Sequence, residues 1–345
     1  MSYQPEVVRY FALALDPIHV GTGGMRLGHV DLSIVREPGT NLPKIPGTSL
    51  AGAARAYAAM QIEGKYPHCA GQGQPQGNYQ GHCGQPDCPI CVTFGFVKGS
   101  GASFQGLAQF SDARLLFFPV HTLAGPVWVT CPMALEVLEI TEDEPEDNEV
   151  RVAEKVKHSG RLNLGWLMFD VKSNRPLRLN LSQASQEIQK ILDRAVLVSN
   201  KMFSHIVNDN LEVRTSVSIN PQTGAAAEGA LFTYEALPRG SVLYFEVVVS
   251  DPKYYRIART VEENGKKKTE SVIPLSDAEH REGDVDKVKS TVNKGLKLFE
   301  FLGVGGMNTR GMGRLRVLKL NQEVHNEEKE KEAHNEQAES GSDLR

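Results

Sequence analysis

Four of the five cysteines lie within one short segment of the chain. They follow the spacing Cys-x13-Cys-x4-Cys-x2-Cys, at Cys69, Cys83, Cys88 and Cys91. A Cys-x2-Cys pair with two further thiolates in reach is typical of a tetrahedral structural zinc site. A disulfide is unfavourable in the cytoplasm, and no βαβ pattern surrounds the pair 88–91 to support thioredoxin-like chemistry. We therefore predict structural zinc, held by four cysteines or by three cysteines and His68 or His82.

A second candidate site is the glycine- and arginine-rich segment "FLGVGGMNTRGMGRLRV", residues 301–317. Glycines let a ligand approach the backbone closely, and guanidinium groups suit phosphate. A dinucleotide fingerprint needs a strand before its glycines and a helix after them, whereas here the order is reversed, and no Walker A Gly-Lys-Ser/Thr occurs. The segment is then either a loop that contacts other phosphates or a turn-rich connection with exposed arginines. Its candidate phosphate ligands are Gly305, Gly306, Arg310, Gly311 and Arg314.

A third candidate lies in "KIPGTSLAGAAR", residues 44–55. Gly47, Thr48 and Ser49 precede or open a predicted helix over Leu50–Ile62, with Ser49 as its N-cap and Arg55 one turn inside. Free N–H groups and the positive end of the helix dipole favour an anion there, although an ordinary helix cap would look the same. Two such segments in one chain suggest a ligand with more than one phosphate.

The net charge of −4 hides an uneven distribution. The tail 321–345 holds eight acidic residues against three basic ones, and the block 136–150 holds eight acidic residues and no basic one. We interpret both as solvated, the tail as disordered, and the remainder as basic enough to bind a phosphate backbone. No secretory leader or long apolar run is present, so we expect a cytoplasmic protein without a membrane partner.

The order of predicted elements favours an α+β fold with helices on an antiparallel sheet. Residues 64–106 are poor in aliphatic periodicity and indicate an insertion outside the core. Alternation on both sides of "NPQTG" predicts a hairpin within 211–236, and apolar spacings of three and four predict a helix over 285–299. The other predicted elements are strands at Val7–Leu15, 108–110, 115–120, 127–129, 241–250 and 314–320, a helix over Leu181–Val196 and a mobile loop over Arg259–Gly283.

Five motifs in one order resemble the RAMP superfamily of CRISPR systems, and within it the backbone subunit of type III-B effectors. They are "DPIHVGTGGMRLGHVDLSIVRE", "LPKIPGTSLAGAAR", "FSDARLLFFPV" with "WVTCP", "EGALFTYEALPRGSVLYFEV" and "FLGVGGMNTRGMGRLRV". The resemblance implies a single domain over 1–320 with a ferredoxin-like (RRM-type) core and the hairpin as a "thumb" that interrupts a guide–target duplex. It also implies a filament of copies on CRISPR RNA, with target RNA and other type III effector subunits as partners.

The resemblance also assigns a role to Asp31, which follows His29 and Arg26 in the first glycine-bearing loop. The aspartate of this loop is the family residue required for metal-dependent cleavage of target RNA, so Asp31 is the predicted catalytic residue, with Mg²⁺ or Mn²⁺ as the ion. Cleavage would proceed by attack of a ribose 2′-hydroxyl on the adjacent phosphorus. Without the resemblance, Asp31 reads as the cap of a turn before a strand, and His29 as a residue that could act as a base or simply face solvent.

The resemblance also indicates which residues of the helix motif would contact RNA. The family's helix motif often has a lysine where this chain has Ala51, and Lys44 is a candidate replacement beside Gly47, Thr48, Ser49 and Arg55.

Two other functions stay open: a backbone subunit that binds guide RNA without cleaving, and an endonuclease that processes CRISPR RNA. The latter usually needs a histidine-centred site, for which only His29 is available near a glycine-rich loop.

Overall fold

The computed structural model describes residues 3–23, 30–71, 81–97, 103–181, 185–226, 231–263, 266–277 and 280–320. The acidic tail 321–345, Arg26 and His29 lie outside these residues.

Regular structure begins with a nine-residue strand, as the sequence predicts. The strands are β1 (Glu6–Ala14), β2 (Lys44–Ile45), β3 (Phe96–Val97), β4 (Ser103–Phe104), β5 (Ala108–Phe110), β6 (Ala113–Val120), β7 (Val127–Thr130), β8 (Glu149–Val152), β9 (Arg161–Leu164), β10 (Leu167–Val171), β11 (Ala195–Leu197), β12 (Glu212–Ser216), β13 (Phe232–Ala236), β14 (Val242–Val249), β15 (Ile257–Glu263), β16 (Lys266–Val272) and β17 (Leu315–Leu320). The helices are α1 (Gly47–Met60), α2 (Pro89–Phe94), α3 (Pro132–Leu135), α4 (Gln186–Leu192), α5 (Asn200–Asp209), α6 (Val285–Lys297) and α7 (Phe299–Leu302), with 3₁₀ turns at Glu136–Leu138, Pro252–Tyr254 and Asn308–Arg310.

One large, mostly antiparallel sheet organises the molecule. Its strands lie in the order β17-β1-β14-β6-β7-β11-β8-β10-β9, with β2 paired to β6 and β5 to β14. The half formed by β17, β1, β14 and β6 is antiparallel throughout. In chain order this half reads β1, α1, β6, β14, α6, β17, and everything from β7 to β13 is inserted between β6 and β14.

Successive side chains of the central strands point to opposite faces of the sheet, and a hydrophobic core covers each face. Tyr10 and Ala12 of β1 belong to the larger core, with α1 and α6, while Phe11 belongs to the second core, beneath α4. Helices α1 and α6 approach so closely that a Cβ built on Gly295 would stand 2.2 Å from the carbonyl oxygen of Ala54. The helix predicted over 285–299 is confirmed, with its apolar face buried.

The segment 259–283, expected to be a mobile loop, contains a β-hairpin. Strands β15 and β16 pair in antiparallel register from Ile257↔Val272 to Glu263↔Lys266. In the sequence, Asn-Gly stands between the two strands, which is a strong hairpin signal, and the high lysine content obscured it.

Two other expectations about helices need correction. The stretch Leu181–Val196 is not one helix, since α4 covers only Gln186–Leu192 and Ala195–Leu197 is a buried strand. Helix α5 was not predicted, although Phe203, Ile206 and Val207 give it an apolar face at helical spacing. Ser199 caps it by accepting the N–H of Met202.

The insertion 64–106 is not separate from the core. Its helix α2 packs against α1 and α6, and Ile90 and Val92 are fully buried in the main core. The segment looked like a core-poor insertion because its many glycines, glutamines and cysteines obscure a short helix in which Ile90 and Val92 are fully buried.

The acidic block 136–150 is also more than a solvated loop. Glu142 forms an ion pair with Arg151 at 2.6 Å, and both side chains are largely buried. Glu144 accepts the N–H of Asn200 at 2.7 Å, and Asp147 accepts the hydroxyl of Ser199 at 2.6 Å, so the block stabilises the start of α5.

In the part of the chain that the structure describes, no helix is both long enough and apolar enough to cross a membrane.

Candidate functional site

Asp31 is held by one residue of the hairpin, Thr233 at the start of β13. Its Oδ2 accepts the N–H of Thr233 at 2.7 Å and the hydroxyl of Thr233 at 3.0 Å. The N–H of Asp31 in turn donates to the same hydroxyl oxygen at 3.1 Å. The backbone hydrogen bond from Thr233, followed by that from its hydroxyl, holds the pKa of the Asp31 carboxyl below its usual range. The group is therefore a carboxylate at neutral pH, and within the described residues its Oδ1 has no hydrogen-bond partner.

The chain after Asp31 runs beside β13 as a short parallel ladder. Leu32 bridges Tyr234 in parallel, its N–H donates to the Thr233 carbonyl at 3.1 Å, and its carbonyl accepts the N–H of Glu235 at 3.2 Å. Asp31 thus stands at the first rung, where the loop meets the hairpin.

A partly buried ion pair, not predicted from the sequence, fastens this ladder. Glu235 accepts both terminal nitrogens of Arg36, at 2.6 and 2.9 Å, and also the N–H of Ile34 at 2.8 Å. Its backbone carbonyl lies 2.7 Å from Nδ1 of His19, which is itself buried. Charged residues at 36 and 235 carry no local signal of pairing, because 199 residues separate them.

The glycine-rich loop 303–313 packs against the same assembly. The N–H of Gly306 donates to the carbonyl of His19 at 2.8 Å, and a Cβ on Gly305 would lie 2.5 Å from that oxygen. Gly305 also has a φ of +90°, so both its conformation and its close approach require glycine. The loop lies between α7 and β17, the helix-then-strand context that the sequence predicts.

Arg310 projects from this loop onto the hairpin. Its guanidinium lies over the ring of Phe232, 5.5 Å from the centroid, next to the residue that holds Asp31. No ion pair involves Arg310 within the described parts of the chain, and its side chain is exposed. The first loop, the hairpin and the glycine-rich loop therefore form one site, which we call the Asp31 site (Asp31, Phe232, Thr233, Gly305, Gly306 and Arg310).

Arg314 has a different environment from Arg310. Its Nε lies 2.5 Å from Oδ2 of Asp16, and a terminal nitrogen lies 3.0 Å from Oδ1, so the two side chains form a bidentate ion pair. The hydrogen bond from Arg314 lowers the pKa of Asp16, and the positive charges of Arg239 and Arg214 add to the effect. Arg314 thus has a protein carboxylate as its partner, while its side chain stays half exposed.

The start of α1 does not present a free anion site. Asp112 occupies it: Oδ1 accepts the N–H of Gly47 at 2.8 Å, and Oδ2 lies 2.5 Å from the ammonium of Lys44. A Cβ on Gly47 would stand 2.5 Å from the Phe110 carbonyl oxygen, so this glycine serves close packing. The expectation that the N–H of Gly47 is a vacant donor to phosphate is therefore wrong, whereas a phosphate contact of Lys44, whose ammonium is paired with Asp112, stays a prediction.

Two further details of α1 differ from expectation. The N-cap is Pro46, with no side-chain cap, so Ser49 is not the cap, while Thr48 is exposed and Ser49 half-buried. Tyr57 donates to the carbonyl of Gly303 at 2.7 Å, ten residues or about 15 Å along the helix from Gly47. The two predicted phosphate segments are thus at opposite ends of α1 and do not form one site.

Arg55 does not face a ligand either. It is only 9% exposed, and it donates to the carbonyls of Cys69 and Gly95, each at 2.7 Å. Its predicted role in RNA binding is wrong because its head group is used inside the protein, where it joins α1 to the cysteine-bearing insertion.

The four clustered cysteines form a candidate metal centre. Their sulfurs all lie within 4.8 Å of one another, with Cys83–Cys91 and Cys91–Cys69 both at 3.7 Å and Cys88–Cys69 at 3.9 Å. Four thiolates at about 2.3 Å from a tetrahedral ion would stand about 3.8 Å apart, so the arrangement can hold a metal such as zinc. His82 points elsewhere, with Nε2 2.7 Å from the carbonyl oxygen of Gly71, and the four sulfurs form a complete set without it.

Known proteins resemble this chain in sequence and in fold. A model described as the RAMP superfamily matches residues 12–316. The chain is 25% identical over 260 residues, 68% of its length, to "CRISPR system Cmr endoribonuclease Cmr4" of Pyrococcus furiosus, of which it covers 79%.

Solved structures share the fold. A chain of type III-B Cmr-beta bound to cognate target RNA matches with a TM-score of 0.61 at 12% identity, over 92% of this chain and 99% of that one. Oligomeric Cmr4 from Pyrococcus furiosus matches with a TM-score of 0.55 at 18% identity, over 93% and 100%. Since the family model spans most of the chain, the protein belongs to the RAMP superfamily, as its sequence indicated.

Proposed function

We propose that this protein is the CRISPR RNA-binding backbone subunit of a type III effector complex, and that it cleaves complementary target RNA at regular intervals through Asp31. The observation that carries the proposal is the Asp31 carboxylate, fixed by one oxygen to the hairpin and open on the other, beside the glycine-rich loop. The similarity to Cmr4, a protein named as an endoribonuclease, supports the same activity.

We also propose a ferredoxin-like core with the hairpin as the thumb. The support is the order β17-β1-β14-β6 and the succession β1, α1, β6, β14, α6, β17, which matches a split βαβ arrangement. Strands β12 and β13 pair from Glu212↔Ala236 to Ser216↔Phe232, and beyond them Val217 and Ile219 expose apolar side chains. Such a hairpin is suited to insert between stacked bases.

The proposed reaction is transesterification within the target RNA. The 2′-oxygen forms a bond to the adjacent phosphorus, the bond from phosphorus to the 5′-oxygen breaks, the 2′ proton passes to water, and the leaving oxygen takes a proton from water. The products are a 2′,3′-cyclic phosphate and a 5′-hydroxyl. Because its pKa is lowered, Asp31 is a weak base, which favours a role in positioning over proton abstraction.

A divalent metal ion would be bound at this site jointly by the protein and the target RNA. Of the residues that the structure describes, Asp31 is not part of any cluster of three or more possible metal ligands. Mg²⁺ typically binds one or two carboxylates together with substrate phosphates and water, so Asp31 and the scissile phosphate would hold it jointly. Bound there, the ion would stabilise the negative charge that develops on the oxygens of the scissile phosphate.

The guide RNA would be gripped mainly by its backbone. Exposed Arg310 is the main proposed phosphate contact, and the exposed glycines Gly305, Gly306 and Gly311 would let the RNA backbone come close. The N–H groups of Gly306 and Gly311 already donate to the carbonyls of His19 and Asn308, so these glycines would contribute by close approach and not as donors. The hydroxyls of Thr48 and Ser49, not the N–H of Gly47 that Asp112 accepts, are the proposed second contact area. Arg314, although paired with Asp16, is half exposed and is proposed as a further phosphate contact.

We propose zinc as the ion of the four-cysteine centre. A zinc ion with four thiolates carries a net charge of −2, and the ammonium of Lys65 is close enough to interact with three of the sulfurs. We expect one zinc per chain, lost in Cys91→Ser and kept in Cys131→Ala and His82→Ala, measured by metal release into a chromogenic chelator. Zinc retained in Cys91→Ser would contradict the assignment.

The reaction is tested by mapping cleavage of a target RNA by the guide-loaded complex. A target with one 2′-deoxynucleotide immediately before one cut should lose that cut and keep the others, and the remaining products should end in cyclic phosphates. A cut that persists at the deoxy position would overturn the proposed chemistry. Absence of any regularly spaced cut would leave a backbone subunit that binds without cleaving.

A further inference from the structure

The hydrogen bonds between Asp31 and Thr233 are reciprocal, and this fixes their direction. A hydroxyl has one proton; here its oxygen accepts the N–H of Asp31, at 3.1 Å, so its proton is directed to Oδ2, at 3.0 Å. The backbone N–H of Thr233 donates to the same Oδ2 at 2.7 Å. Both donors therefore act on one carboxylate oxygen, and the carboxylate plane cannot turn without breaking two hydrogen bonds.

The residue that supplies these donors is itself rigid. Thr233 lies in β13, paired to Thr215 of β12 on one side and to the Asp31–Leu32 ladder on the other. β-Branching restricts its χ1 angle, so the hydroxyl is held where the carboxylate needs it. Glu235, two residues further, anchors the same ladder through Arg36.

We infer that Thr233 is a positioning residue for target-RNA cleavage: it clamps Oδ2 of Asp31 so that Oδ1 faces the scissile phosphate. The inference rests on the proposed function of Asp31. Thr233 itself contacts Asp31 and not the reacting atoms, so its effect is exerted through that carboxylate.

The test compares four versions of the guide-loaded complex: wild type, Thr233→Val, Asp31→Asn and the double variant. Valine keeps the branched shape and the backbone N–H but removes the hydroxyl. We expect Thr233→Val to lower kcat for target cleavage about tenfold, the order of a lost hydrogen bond to a charged group, with KM and the affinity for an uncleavable target unchanged. Thr233→Ser keeps the hydroxyl, so its kcat should stay within about threefold of the wild-type value, a smaller loss than removal of the hydrogen bond causes.

Thr269→Val is the matched control, since Thr269 is an exposed strand residue of β16, and it should cleave as wild type does. Because Thr233 acts through Asp31, the double variant should be no slower than Asp31→Asn alone.

The outcomes separate the two proposals. If Asp31→Asn cleaves normally, the proposed function fails. If Asp31→Asn is inactive while Thr233→Val keeps the wild-type kcat, only the positioning role fails. A Thr233→Val complex that has lost affinity for target, or that Ser does not rescue, would show a structural role in the hairpin and would also overturn the inference.

Discussion

The three arginines predicted from the sequence to bind phosphate are held in three different ways. Arg55 is buried against backbone carbonyls, Arg314 is paired with Asp16, and Arg310 is exposed over an aromatic ring. A guanidinium held over a ring face keeps its N–H groups free of a carboxylate partner, so they can reach a phosphate. Arg310 is therefore the arginine whose loss should affect RNA binding most directly.

We expect Arg310→Ala to weaken guide binding and to reduce the salt dependence. Each phosphate neutralised on a single strand contributes about −0.7 to the slope of log K against log salt, so the slope should become shallower by about that amount. Filter binding at several salt concentrations measures this, with Arg161→Ala, from a surface pair with Asp170, as the control. A parallel loss of affinity at all salt concentrations would contradict a phosphate contact.

At the scale of elements, the start of α1 is stabilised from within the protein. Asp112 reaches the helix N-terminus from the segment between β5 and β6, 65 residues away in sequence, which no local pattern could reveal. The hydrogen bond from Lys44 is the main cause of the lowered pKa of Asp112, and the N–H of Gly47 adds to it. A carboxyl with a lowered folded-state pKa stabilises the fold above its unfolded pKa, and this contribution is lost as pH falls through the folded-state value.

The Asp112→Asn variant should therefore be less stable than wild type at pH 7, by about 1 kcal/mol or less because the pair is partly exposed. Asparagine can still accept the N–H of Gly47, so the loss comes from the charge. Urea unfolding of both proteins from pH 7 down to pH 3 should show the difference shrinking below about pH 4, near the usual aspartate pKa. A difference that stays constant over this range would mean that the carboxylate charge does not contribute.

The contact between α1 and α6 depends on a glycine. Gly295→Ala places a methyl group 2.2 Å from the Ala54 carbonyl oxygen, so the helices must separate, and we expect a loss of roughly 1–3 kcal/mol in the free energy of unfolding. Gly52 of α1 is the matched control, because nothing lies within 4 Å of its Cβ position. Gly52→Ala should be neutral or stabilise by up to about 1 kcal/mol. Equal effects of the two changes in denaturant unfolding would contradict the close-packing account.

At the scale of the whole molecule, the sequence reveals the elements with clear periodicity and misses what distant segments do to each other. β1, α6 and the β12–β13 hairpin follow from alternation and helical spacing. The β15–β16 hairpin was missed because its lysines suggested a solvated loop, although Asn-Gly signals a turn.

In the candidate site, too, local motifs identify some residues, and contacts between distant segments determine the rest. The glycine-rich loop and Asp31 were identified from motifs, yet their common anchor, the pair of Arg36 and Glu235, depends on the fold bringing residues 199 apart together. Arg55 was misassigned because its carbonyl partners at Cys69 and Gly95 belong to an insertion whose packing could not be foreseen. Local patterns find candidate ligands, while the fold decides which of them are available.

The position of the Asp31 site also follows from the whole architecture. The first loop leaves β1, the hairpin precedes β14 and the glycine-rich loop precedes β17, and these three strands are neighbours in the sheet. A filament of such subunits would repeat the site at constant spacing, which accounts for the regular cuts in the proposed function.

The measurement that tests the central claim most directly is target-RNA cleavage by the guide-loaded complex carrying Asp31→Asn. Asparagine preserves the shape and can still accept from Thr233, but it removes the charge. Asp286→Asn, an exposed carboxylate on α6, is the control. We predict that the regularly spaced products disappear in Asp31→Asn and remain in the control, with guide and target binding unchanged in both. Products that persist in Asp31→Asn would show that this chain binds the guide RNA but does not cut the target through Asp31.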